Sequence, residues 1–303
     1  MNPATEWSTS DKRRPGNSVK IPSKRLTLIL VILFLCVVSC RPIVLYVSEK
    51  KFLVTGPNGR ETPATLGIPF ERLKITSGDR QLDSFLVRAP TTCEAHAAVL
   101  VFHGVGETIS QWVKAQRFLY NRCISSLLFD YSGHGDSSQP GTFRNLRQDV
   151  FAAYAAFSAQ FAGDGRRCVM GFSMGNGPLL ESIAYLNPAP SCVVVASAFS
   201  SLREAGARWG SPKFVLYMIP DLWNNVKAVS GNRAPLLVVH SDADAVNPLW
   251  MGQQIFDAAA EPKQMVVVHG FSHNAPYMNP SEEWWMPAVE FLQDEAGPPA
   301  GIH

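Results

Sequence analysis

Cys168-Val169-Met170-Gly171-Phe172-Ser173-Met174-Gly175-Asn176-Gly177 is the stretch whose reading decides the fold. Residues 168–170 form a short apolar run of strand character, and the residues after Gly177 can form a helix. Between them stands Gly171-Phe172-Ser173-Met174-Gly175. A strand that passes this abruptly into a helix forces the central residue into a strained backbone, and flanking glycines let neighbouring chain approach closely. The turn lifts the Ser173 hydroxyl above the sheet edge. It also aims the backbone N–H of Met174, at a helix N-terminus, toward developing negative charge. A plain glycine-rich turn would carry the same five residues. The strand before and the helix after argue against that reading.

Working outward, the same pattern recurs. Short apolar runs rich in Val, Leu and Ile occupy residues 97–102, 124–129, 192–196, 235–239 and 264–268, and each ends at Gly, Ser, His or Asp. Helix-forming segments such as 145–161 and 178–186 lie between most of them. Strands buried on both faces and alternating with helices predict an α/β fold, a mostly parallel doubly wound sheet with helical layers. Before them, residues 70–76 and 83–88 alternate apolar and polar around Ser77-Gly78-Asp79, which predicts an antiparallel hairpin. Residues 281–294 predict a closing helix broken at Pro287. In such sheets ligands sit at the carboxyl ends of the strands, so chemistry is sought just after each apolar run.

A serine hydroxyl needs a base, and the base needs an acid to orient it. The loop after residues 235–239 reads His240-Ser241-Asp242-Ala243-Asp244, and the loop after 264–268 reads His269-Gly270-Phe271-Ser272-His273. Asp244, deeper in its loop, is the first choice for the acid, with Asp242 the second. His273 is the choice for the base, since a loop residue can swing its ring to Ser173. His269, at the strand end, is assigned a structural role. After residues 97–102 comes His103-Gly104-Val105-Gly106-Glu107, where a glycine-containing loop supplies a second oxyanion-hole N–H. Val105 is the first choice for it and Gly106 the next, while His103 ties the loop down.

The 46% apolar and 17% charged composition provides a sizeable core, and the formal net charge of +2 gives no general pull toward nucleic acid. No Cys/His spacing suggests zinc, and the chemistry needs no cofactor. The N-terminus is different in kind. Residues 1–25 form a polar tail carrying Lys12, Arg13, Arg14, Lys20, Lys24 and Arg25, followed by an apolar run over 26–38. Two readings stay open: residues 26–47 as a transmembrane segment, with Arg41 snorkelling to the interface, or a signal of lipoprotein type that makes Cys40 the lipidated residue. In both, the cationic cluster stays in the cytoplasm and the rest of the chain lies outside it. Residues 48–69 are read as a linker, and residues 70–303 as the catalytic domain.

With these residues in hand, the chain resembles the α/β-hydrolase superfamily over residues 68–295, and is most similar to its membrane-anchored, lidless serine hydrolases. The motifs that carry the likeness are His103-Gly104, the stretch from Asp130 to Gly135 with Ser137, the elbow at Ser173, the turn at Asp244 and the loop at His273. Asn247 stands where the family usually has Val, and Val105 where it often has Asn. The resemblance implies a serine hydrolase acting on a small-molecule or lipid ester or thioester. A serine peptidase for small peptides and a non-catalytic binding protein of the same fold are the alternatives. Lids of this superfamily follow the sixth core strand, and residues 199–233 are too few for a large one. Their aromatic content suggests both core packing and an acyl pocket. The family's strand order also makes neighbours of the third and fourth core strands and of the fifth and sixth. That order predicts disulfides Cys93–Cys123 and Cys168–Cys192 at the edge opposite the site.

Overall fold

The computed structural model describes residues 23–56, 59–93, 97–163 and 165–294. The chain divides into two units, Met1–Pro42 and Ile43–His303. Helix α1 (Ser23–Phe52) carries the apolar run, and Leu26, Leu28, Leu30, Ile32 and Leu35 are exposed on it. Among the described residues no helix is long and apolar enough to cross a membrane. The span expected at 26–47 is therefore not supported. The uninterrupted run ends at Val38, Arg41 and Pro42 follow, and the last turn holds Lys50 and Lys51. The tail expected at 1–25 lies outside the described residues as far as residue 22.

In the second unit the last turns of α1 are amphipathic. Val44, Leu45, Ser48 and Phe52 face the core, while Ile43, Tyr46 and Val47 face outward. This spacing of three and four residues is one face of a helix. The helix thus runs beyond the expected boundary at residue 47, and its turns from Ile43 to Phe52 belong to the catalytic domain's own unit.

The hairpin is present as β1 (Glu71–Ser77) and β2 (Arg80–Val87), paired antiparallel through Ser77↔Arg80. The remaining strands are β3 (Ala97–Phe102), β4 (Ile124–Phe129), β5 (Arg166–Phe172), β6 (Cys192–Ala196), β7 (Leu236–Ser241) and β8 (Lys263–Val268). They form one eight-stranded sheet in the order β1-β2-β4-β3-β5-β6-β7-β8. Only the pairings of β2 with β1 and β4 are antiparallel. Every residue of β3, β6 and β7 is buried, as expected of strands covered on both faces.

Helices α2 (Val113–Tyr120), α3 (Phe143–Gln160) and α4 (Asn176–Ser182) follow β3, β4 and β5. In α3 the Thr142 hydroxyl accepts the N–H of Asn145 and caps the helix. Leu146, Val150, Ala153, Tyr154 and Phe157 then supply its buried stripe. The segment after β6 holds three short helices: α5 (Leu202–Arg208), α6 (Lys213–Met218) and α7 (Asn225–Val229). Leu216, Ile219 and Trp223 are buried there, whereas Phe214 and Tyr217 are exposed at 71% and 73%. Those two rings therefore face solvent, and no described contact brings them to Ser173.

Helix α8 (Leu249–Ala258) connects β7 to β8, and α9 (Ala275–Met278) and α10 (Glu282–Gln293) complete the chain. The break expected at Pro287 does not occur. Burial of Trp284, Trp285, Ala288, Val289, Phe291 and Leu292 outweighs the roughly 3 kcal/mol that an interior proline costs. One apolar core lies on each face of the sheet. Both predicted disulfides are present. Cys93–Cys123 has a Cα separation of 5.7 Å, and Cys168–Cys192 one of 4.6 Å. The second joins directly paired residues near the start of β5 and at the start of β6, four positions from the strand ends where Phe172 meets Ala196.

Candidate active site

Ser173 follows the last residue of β5 and opens a 3-10 turn that continues into α4. Its φ of 49° places it in the left-handed region, which costs a residue with a Cβ about 1–2 kcal/mol. The two motif glycines have separate steric reasons. A Cβ on Gly171 would lie 2.5 Å from the Asn176 side chain, and one on Gly175 would lie 2.0 Å from the carbonyl oxygen of Phe102. The end of β3 and the elbow are thus in direct backbone contact. Asn176 closes the turn by donating to the carbonyls of Ser173 and Ala196.

The structure brings Ser173, His273 and Asp244 together. Nε2 of His273 lies 2.9 Å from Oγ of Ser173, and Nδ1 of His273 lies 2.7 Å from Oδ2 of Asp244. A carboxylate only accepts, so Nδ1 carries the proton and Nε2 of the neutral ring presents its lone pair to the serine hydroxyl. Asp244 is buried, and Phe172 packs against the His273 ring with centroids 5.2 Å apart. The arrangement can draw the proton from Ser173 as its oxygen attacks a carbonyl carbon.

Asp242 does not reach this group. Its carboxylate holds Nδ1 of His269 at 2.8 Å and the N–H of Gly270, forming a separate Asp–His pair in which the His269 side chain is 80% exposed. The contact with His269 depresses the Asp242 carboxyl. His269 has the structural place expected of it.

The acid loop has a support that sequence reading missed. Asn247, fully buried, donates its side-chain amide to the carbonyl of Ser197 at 2.9 Å and its backbone N–H to Oδ1 of Asp244 at 2.8 Å. Its own carbonyl accepts Nε2–H of His240 at 2.7 Å. His240 is therefore the Nε2–H tautomer, and its burial lowers its pKa and keeps the ring neutral. The departure from Val at position 247 was the available signal.

Val105 sits in the loop after β3, as expected, and Met174 in the first turn after the serine. Neither N–H has an acceptor among the described hydrogen bonds. Below the loop, Glu107 is buried, and its Oε2 accepts the N–H of Gly104 at 2.7 Å and Nε1–H of Trp112 at 2.8 Å. Burial raises the Glu107 carboxyl above its ordinary range. His103 packs inside the same loop with Nδ1 2.9 Å from the carbonyl of Gly104. Burial opposes charge on His103, but Asp130 at 3.4 Å, Glu107 and the Gly104 carbonyl together outweigh it and raise its pKa. His103 thus ties the loop down, as the sequence suggested. Asp130 also accepts the N–H of Ile109 at 2.9 Å, which gives it a structural role in this loop.

The model of a family described as serine aminopeptidase, S33, matches residues 93–211. An uncharacterized protein of Mycobacterium tuberculosis is 32% identical over 180 residues, which is 59% of this chain and 63% of that one. A lysophosphatidylserine lipase of Danio rerio is 24% identical over 192 residues, 56% of this chain and 49% of that one. The chain therefore spans about half to two thirds of the length of these relatives. Among solved structures, an esterase of Pyrococcus furiosus superposes with a TM-score of 0.64 at 20% identity, covering 79% of this chain and 98% of that one, a likeness of fold. With its eight-stranded sheet, its serine on a strained strand-to-helix turn and this likeness to the esterase, the chain has the α/β-hydrolase fold.

Proposed function

We propose that the protein is a serine hydrolase that cleaves carboxylic esters or thioesters. The observation that carries this reading is the continuous path from Ser173 Oγ through the His273 ring to Asp244, at 2.9 and 2.7 Å. Ser173 attacks the acyl carbon while His273 Nε2 takes its proton, and Asp244 stabilises the imidazolium. The N–H groups of Met174 and Val105 receive the oxyanion. His273 then returns the proton to the departing alkoxide or thiolate, leaving an acyl-serine. Water deprotonated by His273 attacks that ester, and Ser173 leaves with the proton restored. Hydrolase chemistry in the Danio rerio lipase and the Pyrococcus furiosus esterase supports a small-molecule or lipid ester as substrate.

A second reading, a serine peptidase for small peptides, is favoured by the description of the matching family model. Turnover of p-nitrophenyl acyl esters against aminoacyl p-nitroanilides separates the two. The ester reading expects turnover of the esters with little or none of the anilides, and the reverse order overturns it.

We also infer that the catalytic domain works outside the cytoplasm. Two disulfides support this, because such bonds persist in oxidising compartments. The cationic tail ahead of the apolar run supports the same orientation. Attachment to a membrane, through that apolar run or through lipidation at Cys40, is the companion proposal. Protease accessibility of the domain in intact cells, compared with lysed cells, tests the orientation.

A further inference from the structure

Three backbone N–H groups lie side by side in the loop after β3, at Gly104, Val105 and Gly106. That of Gly104 donates to Glu107 Oε2 at 2.7 Å. That of Gly106 donates to the carbonyl oxygen of Val54 at 2.9 Å. The Val105 N–H, between them, has no described acceptor. Val54 belongs to a strap, residues 53–56, that leaves the end of α1 and crosses the loop before the chain enters the hydrolase sheet. The strap is seated closely. A Cβ on Gly56 would lie 2.2 Å from the carbonyl oxygen of Gly106 and 2.7 Å from its carbon. Further on, Gly59 meets Ser110 in the same way, where a Cβ would lie 2.4 Å from the Ser110 Cβ.

We propose that this strap is a positioning element of the oxyanion hole, resting on the hydrolase reading above: Val54 takes up the Gly106 N–H and fixes the loop so that Val105 alone supplies its oxyanion donor. A donor helps a transition state only when it is held in place before charge develops. A loop with glycines on both sides of Val105 has many backbone states open to it. Glu107 pins one end of the loop and the strap pins the other. Gly106, at φ 73°, adopts the left-handed turn that joins the two ends. The donor choice that the sequence left between Val105 and Gly106 is thereby made by a segment about fifty residues upstream.

Gly56→Ala tests this, with Gly59→Ala as a matched strain beyond the strap, against Ser110, and Ser173→Ala as the control on the reading itself. Gly56→Ala is expected to lower kcat about 10- to 100-fold, below the effect of deleting a donor outright, with KM within about 3-fold. Affinity for a trifluoromethyl ketone, whose adduct carries the oxyanion, falls in parallel. Gly59→Ala is expected to lower Tm without that selective loss. If Gly56→Ala does not fold, a glycine inserted between Leu53 and Val54 moves the Val54 carbonyl off Gly106 without a clash and expects the same kinetics. Wild-type kcat in the folded variant, or a rise in KM alone, overturns the strap proposal while Ser173→Ala remains inactive. Activity in Ser173→Ala instead overturns the hydrolase reading beneath it.

Discussion

The two oxygens of Asp244 have divided work: Oδ2 faces Nδ1 of His273 at 2.7 Å, and Oδ1 accepts the N–H groups of Val246 and Asn247 at 2.9 and 2.8 Å. The backbone thus holds the carboxylate in the orientation the imidazole needs. Asp244→Asn offers an amide where a lone pair is required and favours the wrong tautomer. A fall in kcat of about 10³- to 10⁴-fold is expected. Asp242→Asn breaks only the exposed contact with His269 and is expected to leave kcat unchanged. Steady-state kinetics of the two variants decide the order, and its reversal would move the acid to Asp242.

Asn247→Val, which places there the residue usual in the superfamily the chain resembles, removes the bond to the Ser197 carbonyl and leaves that oxygen without this partner. The expected cost is about 1–3 kcal/mol in denaturant unfolding, with the backbone N–H to Asp244 retained. A variant as stable as the wild type would show that Asn247 is not a support of the acid loop.

Much of this arrangement was legible because it is local. The runs that became β3, β4 and β6 have the bounds of the strands themselves, since strands buried on both faces leave an unmixed apolar signature. The elbow is dictated by two glycines whose missing Cβ atoms make room for Asn176 and Phe102. What the residues could not reveal depends on distant pairing. Asn247 reaching Ser197 and Val54 reaching Gly106 join segments far apart in the chain, through groups that any polar loop or extended strap contains. The continuity of α10 through Pro287 was hidden for a related reason, because two buried tryptophans hold the helix against its local preference.

A pH effect follows from Asp83, nearly buried between Arg72 and Lys74. Burial pushes its carboxyl up, but the two cations outweigh it and hold the group below its ordinary value of 3.8. The stability this contributes is complete above the unfolded value and disappears as pH falls through the lower folded one. Asp83→Asn is therefore expected to lower Tm at pH 7, with the difference from wild type shrinking below about pH 4. A difference independent of pH from 7 to 3 would mean that charge at Asp83 is not what matters.

The two disulfides close loops of 24 and 30 residues, each expected to contribute about 2–4 kcal/mol. Cys168 and Cys192 are inaccessible, whereas Cys93 and Cys123 are half-buried. Dithiothreitol under native conditions is therefore expected to open Cys93–Cys123 first. Timed alkylation and peptide mapping read the order, and earlier labelling of Cys168 and Cys192 would contradict it.

The most direct measurement concerns the serine. Purified wild-type protein is expected to take up a fluorophosphonate at one residue, Ser173, and to lose its p-nitrophenyl ester turnover as it does so. Ser173→Ala, folded with an unchanged circular dichroism spectrum, is expected to be unlabelled and to lose roughly 10⁴-fold or more in kcat. Ester hydrolysis by Ser173→Ala at the wild-type rate, or labelling at another residue, would contradict the assignment of Ser173 as the nucleophile.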